Sequence, residues 1–299
     1  MLIDLVKTKK LYHYTSFDAL FAILESYRKN KKKQLIFWAS NIYGVNDKRE
    51  MEAGFDAIKR YLPKYEMENI PKELWLSEVY NNPDSEEKCK KDYIYERCVN
   101  TTKTAVIPYV ISLSKKGDYL PMWSMYGDKC KGVCIVFDAG LLQDGLFQNF
   151  VIDTIVYDKR NENEMLNEIL PNTYKLYKKE YEKSPLDLTI DTKIKELATI
   201  CLYVAPFFKY KDYQYEKEFR IVEYVYYGQN VFDIPRIIIK ENVVDKHIDV
   251  PIQIDALKGI IIGPDANYEV MKHVLGIELE NCGLSPSIIK PSKISYRSK

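Results

Sequence analysis

The sequence predicts an α+β fold with mostly antiparallel sheets and helical insertions. Three observations carry that prediction. Short β-rich runs recur along the chain and cluster in its last third. Apolar residues at helical spacing fill the earlier intervals. The regular βαβ rhythm of a doubly wound sheet is missing, and so are GxGxxG and GxxxxGK[ST] loops. No Pro/Gly/Ser-rich linker divides the 299 residues. One α+β domain over 1–299 is therefore expected, with helical insertions at about 65–100 and 161–205.

Taken in order, Leu11 to Thr15 reads as a short strand. Ser16 then caps a helix whose apolar stripe is Phe17, Leu20, Phe21, Leu24 and Tyr27. A basic run, Arg28 to Lys33, follows, and Leu35 to Ala39 is a buried strand. Asp47 and Glu50 have capping-box spacing ahead of a helix with Met51, Phe55, Ile58 and Leu62 inside. A further helix is expected from Pro83 through Cys98. Thr104 to Leu113 is a strong strand, Lys131 to Asp138 another, and Asp138 can cap the helix Ala139 to Leu146. Phe150 to Tyr157 is a strand. Residues 161–205 are helical, with Pro171 expected to break the run. Strands follow at Arg236 to Lys240, Lys246 to Val250 and Leu257 to Ile262, then a helix from Tyr268 to Leu275 and a short strand from Ser287 to Tyr296.

Hydrophobic residues at 46% and charged residues at 29% are ordinary for a soluble globular chain. A net charge of +1 gives no global attraction to nucleic acid or an anionic membrane. Asp4, Lys7, Lys9 and Lys10 interrupt any leader-like apolar run, and no stretch approaches a membrane span. A cytoplasmic protein that does not enter a membrane is expected. The six cysteines have no CxxC pair and no histidine partner pattern, so reduced core thiols and no metal site are expected.

One stretch carries unusual chemistry. Gln214 to Val222 reads as a strand that alternates with period two, placing Glu216, Glu218 and Arg220 on one face. Such a row is either a structural ion network or a catalytic one. Two other polar strand ends join it as candidates, His13 with Thr15 and Ser112 with Ser114. His247 and His273 read as exposed, which leaves His13 as the histidine of interest. There is no GxSxG elbow and no His/Asp cluster for a metal hydrolase.

These motifs together resemble a bacterial family known as domain of unknown function 2971. The landmarks are Tyr12 to Ser16, Trp38-Ala39, Asn46-Asp47 with Glu50, Ser112 to Ser114, Met122 to Gly127, Lys131 to Cys134, Lys211 through Arg220, Ile261 to Pro264 and Ile294 to Arg297. The order of His-Tyr-Thr, Ser-x-Ser and Glu-x-Glu is also similar to the ADP-ribosyltransferase superfamily. That resemblance implies an ADP-ribosyltransferase-like core with NAD as substrate. It would place His13 on the adenosine ribose as a donor, and Tyr14 and Thr15 beside it. Ser112 or Ser114 would brace the site. Glu218 would be the catalytic carboxylate, and Glu216 would orient the acceptor. Tyr14, Trp123 or Tyr126 would stack on nicotinamide or adenine, and Arg220 would contact the ligand or neutralise Glu218.

The function this implies is an NAD-dependent ADP-ribosyltransferase-like enzyme. It would be a bacterial defence or toxin effector, for example in phage defence, that modifies a protein or nucleic-acid acceptor. The alternative is a non-catalytic nucleotide or nucleic-acid binding protein on the same fold, using Lys31 to Lys33, Arg49, Lys209, Lys211 and Arg220. A third reading assembles Glu216, Glu218 and Asp47 around a divalent metal.

Overall fold

The computed structural model describes residues 9–45, 49–81, 106–146, 150–183, 189–226, 236–240 and 243–296. Asp47, Cys89, Cys98 and the whole helix expected from Pro83 through Cys98 lie outside them. The architecture is α+β, with a mixed and mostly antiparallel sheet. Its strands are β1 (Lys10–Thr15), β2 (Gln34–Asn41), β3 (Val106–Ser114), β4 (Val133–Asp138), β5 (Val151–Thr154), β6 (Glu218–Tyr226), β7 (Arg236–Lys240), β8 (Val243–Gln253), β9 (Leu257–Ile262) and β10 (Ile289–Pro291). They join in the order β10-β9-β4-β1-β3-β2-β8-β7, with β6 added to β3 and β5 to β6. The β10–β9 pair is parallel and the other strand pairs are antiparallel.

The sheet forks at β3. One edge of β3 pairs with β6 along its whole length. The other edge is shared. Near its end it meets β1 at Tyr12↔Ser114, and four residues earlier it meets β2 at Ser40↔Val110 and Asn41↔Tyr109. Between those contacts β1 and β2 diverge, and Ile111 to Leu113 have no strand partner on that side. Helix α1 (Phe17–Lys29) links the two diverging strands. Its N-terminus is capped as expected, with Ser16 Oγ accepting from the Ala19 amide at 3.2 Å.

Both faces of the sheet are covered. Strand alternation decides which residue goes where. Ile111 and Leu113 of β3, and Phe219 and Ile221 of β6, pack in a core with α1, α4 (Ala139–Leu146) and α7 (Tyr268–Asn281). Val110 and Val222 point the other way, into a core built by α2 (Glu52–Asn69), α5 (Lys159–Lys183) and α6 (Ile190–Val204). Most of the segment expected as an insertion at 161–205 therefore forms one helical layer of the protein.

Pro171 does not break its helix. The α5 stripe Met165, Leu166, Leu170, Tyr174 and Tyr177 is buried on both sides of it. Pro171 and Asn167 lie on the exposed face, where water can take the carbonyl freed by the missing N–H. His247 also departs from expectation. It is buried on β8, its ring 4.3 Å from that of Trp38. No helix among the described residues is long and apolar enough to cross a membrane.

The short helix α3 (Leu120–Tyr126) is held against β1 by a tight loop. Asp128, Lys129 and Cys130 have φ of 48°, 51° and 73°, an uncommon left-handed run for residues with side chains. Gly132 completes the loop: a Cβ there would lie 2.2 Å from the Thr15 carbonyl oxygen. Only glycine permits that approach.

Candidate functional site

The floor of the site is a buried ionic cluster, and its assembly differs from a plain strand. Lys211–Glu216 form a 3₁₀ turn, and Lys217 is left-handed at φ 45°. β6 begins only at Glu218. The reading of Gln214 to Val222 as one strand is thus corrected in its first half. Two contacts hold the turn: Ser114 Oγ donates to the Glu216 carbonyl at 2.6 Å, and the Lys115 amide donates to the Lys217 carbonyl at 2.9 Å. Glu218 and Arg220 do share a face of β6 by alternation, and Glu216 reaches them from the turn.

Two cations organise the carboxylates. Arg220 Nε donates to Glu218 Oε1 at 2.7 Å, and its Nη2 reaches Glu218 Oε2 at 3.2 Å and also Glu50. Its Nη1 donates to the Pro206 carbonyl at 2.5 Å. Lys209 Nζ lies 2.8 Å from Glu218 Oε2, 2.8 Å from Glu216 Oε2 and 3.7 Å from Glu50 Oε1. All five side chains are buried. Tyr126 OH, from α3, donates to Glu216 Oε1 at 2.6 Å.

Proximity and burial set the protonation pattern. Burial pushes the Glu218 carboxyl up, but Arg220 and Lys209 beside it hold it down at about 2. Burial raises Glu50 by more than Arg220 and Lys209 lower it. Lys209 is pulled down by burial, yet Glu218 and the neighbouring carboxylates outweigh that and carry it to about 12. Arg220 stays charged for the same reason, since Glu218 and Glu50 overcome its desolvation.

Above this floor the fork opens into two cavities. A cavity of about 440 Å³ holds His13, Ser112, Ser114, Tyr126 and the ionic cluster in its walls. A second, of about 590 Å³, is backed by α1 through Ala19, Ala22, Ile23 and Ser26, with Thr15, Asn30 and Asp249 beside them. The two meet at His13, Trp38 and Ser40. Trp38 is 51% exposed there. His13 Nδ1 donates to the Ser112 carbonyl at 3.2 Å, inside the fork. Burial lowers its pKa, so the ring is neutral at pH 7 and Nε2 is left as an acceptor. The ring thus offers the cavity an acceptor where a donor was expected.

The sequence candidates therefore divide. His13, Ser112, Ser114, Tyr126, Glu216, Glu218 and Arg220 line one cavity, and Thr15 lines its neighbour. Tyr14 touches the same cavity, but its hydroxyl donates to the Lys116 carbonyl and its ring meets Trp123 edge-on at 5.0 Å. Trp123 is fully buried in that small core, its Nε1 bound to Asp118 Oδ1, and offers no ring face to a ligand.

Two residues sit differently from the sequence reading. Glu50 was read as half of a capping box, yet α2 has no side-chain cap and Glu50 turns inward. Lys209 was counted among cations for a nucleotide or nucleic acid, and it is neutralised under the cavity, as is Arg220, whose pairing with Glu218 is the ion-network reading of that row. Trp38 was a family landmark without a role, although Ile36, Trp38 and Ser40 alternate out of the core face and could have marked it. Among the described residues no group of three His, Cys, Asp or Glu side chains stands at metal-binding spacing. Glu216 and Glu218 give their oxygens to Lys209, Arg220 and Tyr126.

Residues 122–221, about a third of the chain, match the family model described as protein of unknown function (DUF2971). The match takes in most of α3, with Lys209, Glu216, Glu218 and Arg220, while His13 and Trp38 lie outside it. No curated protein and no solved structure matches the chain. The likeness to ADP-ribosyltransferases therefore stands on the three short motifs alone.

Proposed function

We propose that this chain binds an NAD-like dinucleotide across the fork between β1 and β2. The observation that carries the reading is the pair of cavities of about 440 and 590 Å³ joined at His13, Trp38 and Ser40. A dinucleotide has two ring systems joined by a polar bridge, and two lobes with an aromatic junction suit that shape. Trp38 supplies a stacking face. Neutral His13, Ser40 and Ser112 supply hydrogen bonds for ribose hydroxyls. The expected result is saturable NAD binding seen by calorimetry and by quenching of tryptophan fluorescence, both lost in Trp38→Ala. Binding unaffected by that substitution would overturn the placement.

A second reading adds chemistry, the transfer of the ADP-ribosyl group from NAD to an acceptor. One observation favours a particular form of it. Glu218 is doubly engaged by Arg220 and Lys209, whereas Glu216 is held by Lys209 and by Tyr126 on the cavity wall. The carboxylate facing the developing glycosyl cation is then Glu216, with Glu218 setting the position of Lys209. Incubation with NAD should release nicotinamide, and Glu216→Gln should abolish release while binding persists. Protein that binds NAD without ever releasing nicotinamide leaves the binding function alone.

A further inference from the structure

The charges in the wall of the smaller cavity do not balance. Glu50, Glu216 and Glu218 face Lys209 and Arg220, three carboxylates against two cations. His13 is neutral there, because burial lowers its pKa. The same wall carries Trp38 and Tyr126, whose rings present negative faces. Lys209 already lies over the ring of Tyr213, with Nζ 5.2 Å from its centroid, so the floor has one cation–π contact of its own.

We infer that the smaller cavity is a site for a planar organic cation, and that it prefers a positively charged ring over a neutral ring of the same shape. The class of cation follows from what the carboxylates have left to give. A hard ion such as Ca²⁺ or Mg²⁺ needs several carboxylate or carbonyl oxygens in its own shell. Here the oxygens of Glu216 and Glu218 are already bonded to Lys209, Arg220 and Tyr126. What remains is a field, one excess formal negative charge among buried groups, and that acts at a distance. A delocalised cation loses less hydration on entry than an ammonium or a metal ion, and it can also stack on Trp38.

Applied to the dinucleotide reading, and resting on it, the same imbalance selects the oxidised nicotinamide ring, which is cationic, over the reduced ring, which is not. The field has a built-in control in Glu50. The charged groups that act on it are Arg220 and Glu218 from β6 and Lys209 from the segment after α6, while Glu216 from the 3₁₀ turn, Tyr126 from α3 and His13 from β1 line the same cavity. Burial raises the pKa of Glu50 while Glu218 is held low, so acidification protonates Glu50 before Glu218 and lowers the negative charge of the floor.

The test uses 1-methylnicotinamide and its neutral isostere 3-methylbenzamide, titrated by calorimetry into the full wild-type chain near pH 7.5. The cation should bind about tenfold tighter or more. The ratio should shrink on acidification and in Glu216→Gln. Equal affinities, tighter binding of the neutral isostere, or binding of neither overturns the inference. If Glu216→Gln does not fold, the wild-type pair of probes decides alone. NAD and NADH separate the two proposals. Equal binding of both leaves the dinucleotide reading standing and removes charge selection. A cation preference in the small probes with no NAD binding keeps the charge-selecting site and removes the dinucleotide.

Discussion

Glu218 gives Oε1 to Arg220, and Oε2 to both Arg220 and Lys209. Removing its charge would leave Arg220 paired with Glu50 and Lys209 with Glu216, and breaking the buried pairs that both make with Glu218 typically costs about 3–5 kcal/mol. Glu218→Gln should therefore lower the urea midpoint strongly at pH 7, and Glu216→Gln should lower it less. The acid limb of stability follows from the same pair. The Glu218 carboxyl is held at about 2 in the folded protein against an ordinary 4.5. A depressed carboxylate stabilises the fold fully above its unfolded pKa, and that contribution disappears as the pH falls through the folded one. About 3 kcal/mol should be lost between pH 4.5 and 2, read from urea unfolding across that window. Glu50 works with the opposite sign: burial raises it, so its cost is relieved as the pH falls toward 4.5, above the window in which the Glu218 contribution is lost. Period-two reading put Glu218 beside Arg220 correctly. It could not see Glu50, which comes from a segment distant in the chain, or Lys209, which reaches the row across an irregular 3₁₀ turn, because neither leaves a spacing pattern.

Local rules served the elements unevenly. Ser16 and Asp138 do cap α1 and α4, with Asp138 Oδ1 accepting from the Leu141 amide at 3.1 Å. Those caps act within one turn of backbone, so neighbouring residues reveal them. The turn before β6 escaped the same reasoning. Lys217 takes a left-handed conformation that its residue type does not announce, and bonds from Ser114 and Lys115 maintain it. Packing between elements overrides propensity at Gly54 in α2. A Cβ there would sit 2.3 Å from Ala205 Cα, in the turn that follows α6. Gly54→Ala should destabilise the protein despite about 1 kcal/mol of gained helix propensity, measured by chemical denaturation. Pro171→Ala points the other way: on the exposed face of α5 it restores an N–H and should stabilise the fold, by roughly 1–3 kcal/mol on the same assay.

The fork decides where the two cavities meet. β1 and β2 grip β3 at separate points and diverge between them, so the gap belongs to no single strand. A ligand that fills it ties β1, β2 and β3 together and should stabilise the whole fold. NAD at about a hundred times its dissociation constant should add about 2.7 kcal/mol, visible as a rise in Tm that Trp38→Ala abolishes. Composition, periodicity and short polar motifs determined the α+β class, most of the elements and the interest of His13, Ser112 and the Glu218 row. Each of those is written in residues a few positions apart, where backbone geometry converts spacing into a face. The tertiary structure decided which of them meet. It buried Trp123, made Trp38 the junction of two cavities, and brought Glu50 and Lys209 under the site. Contacts of that kind arise from the packing of a whole sheet and its two helical layers, and no local pattern encodes them.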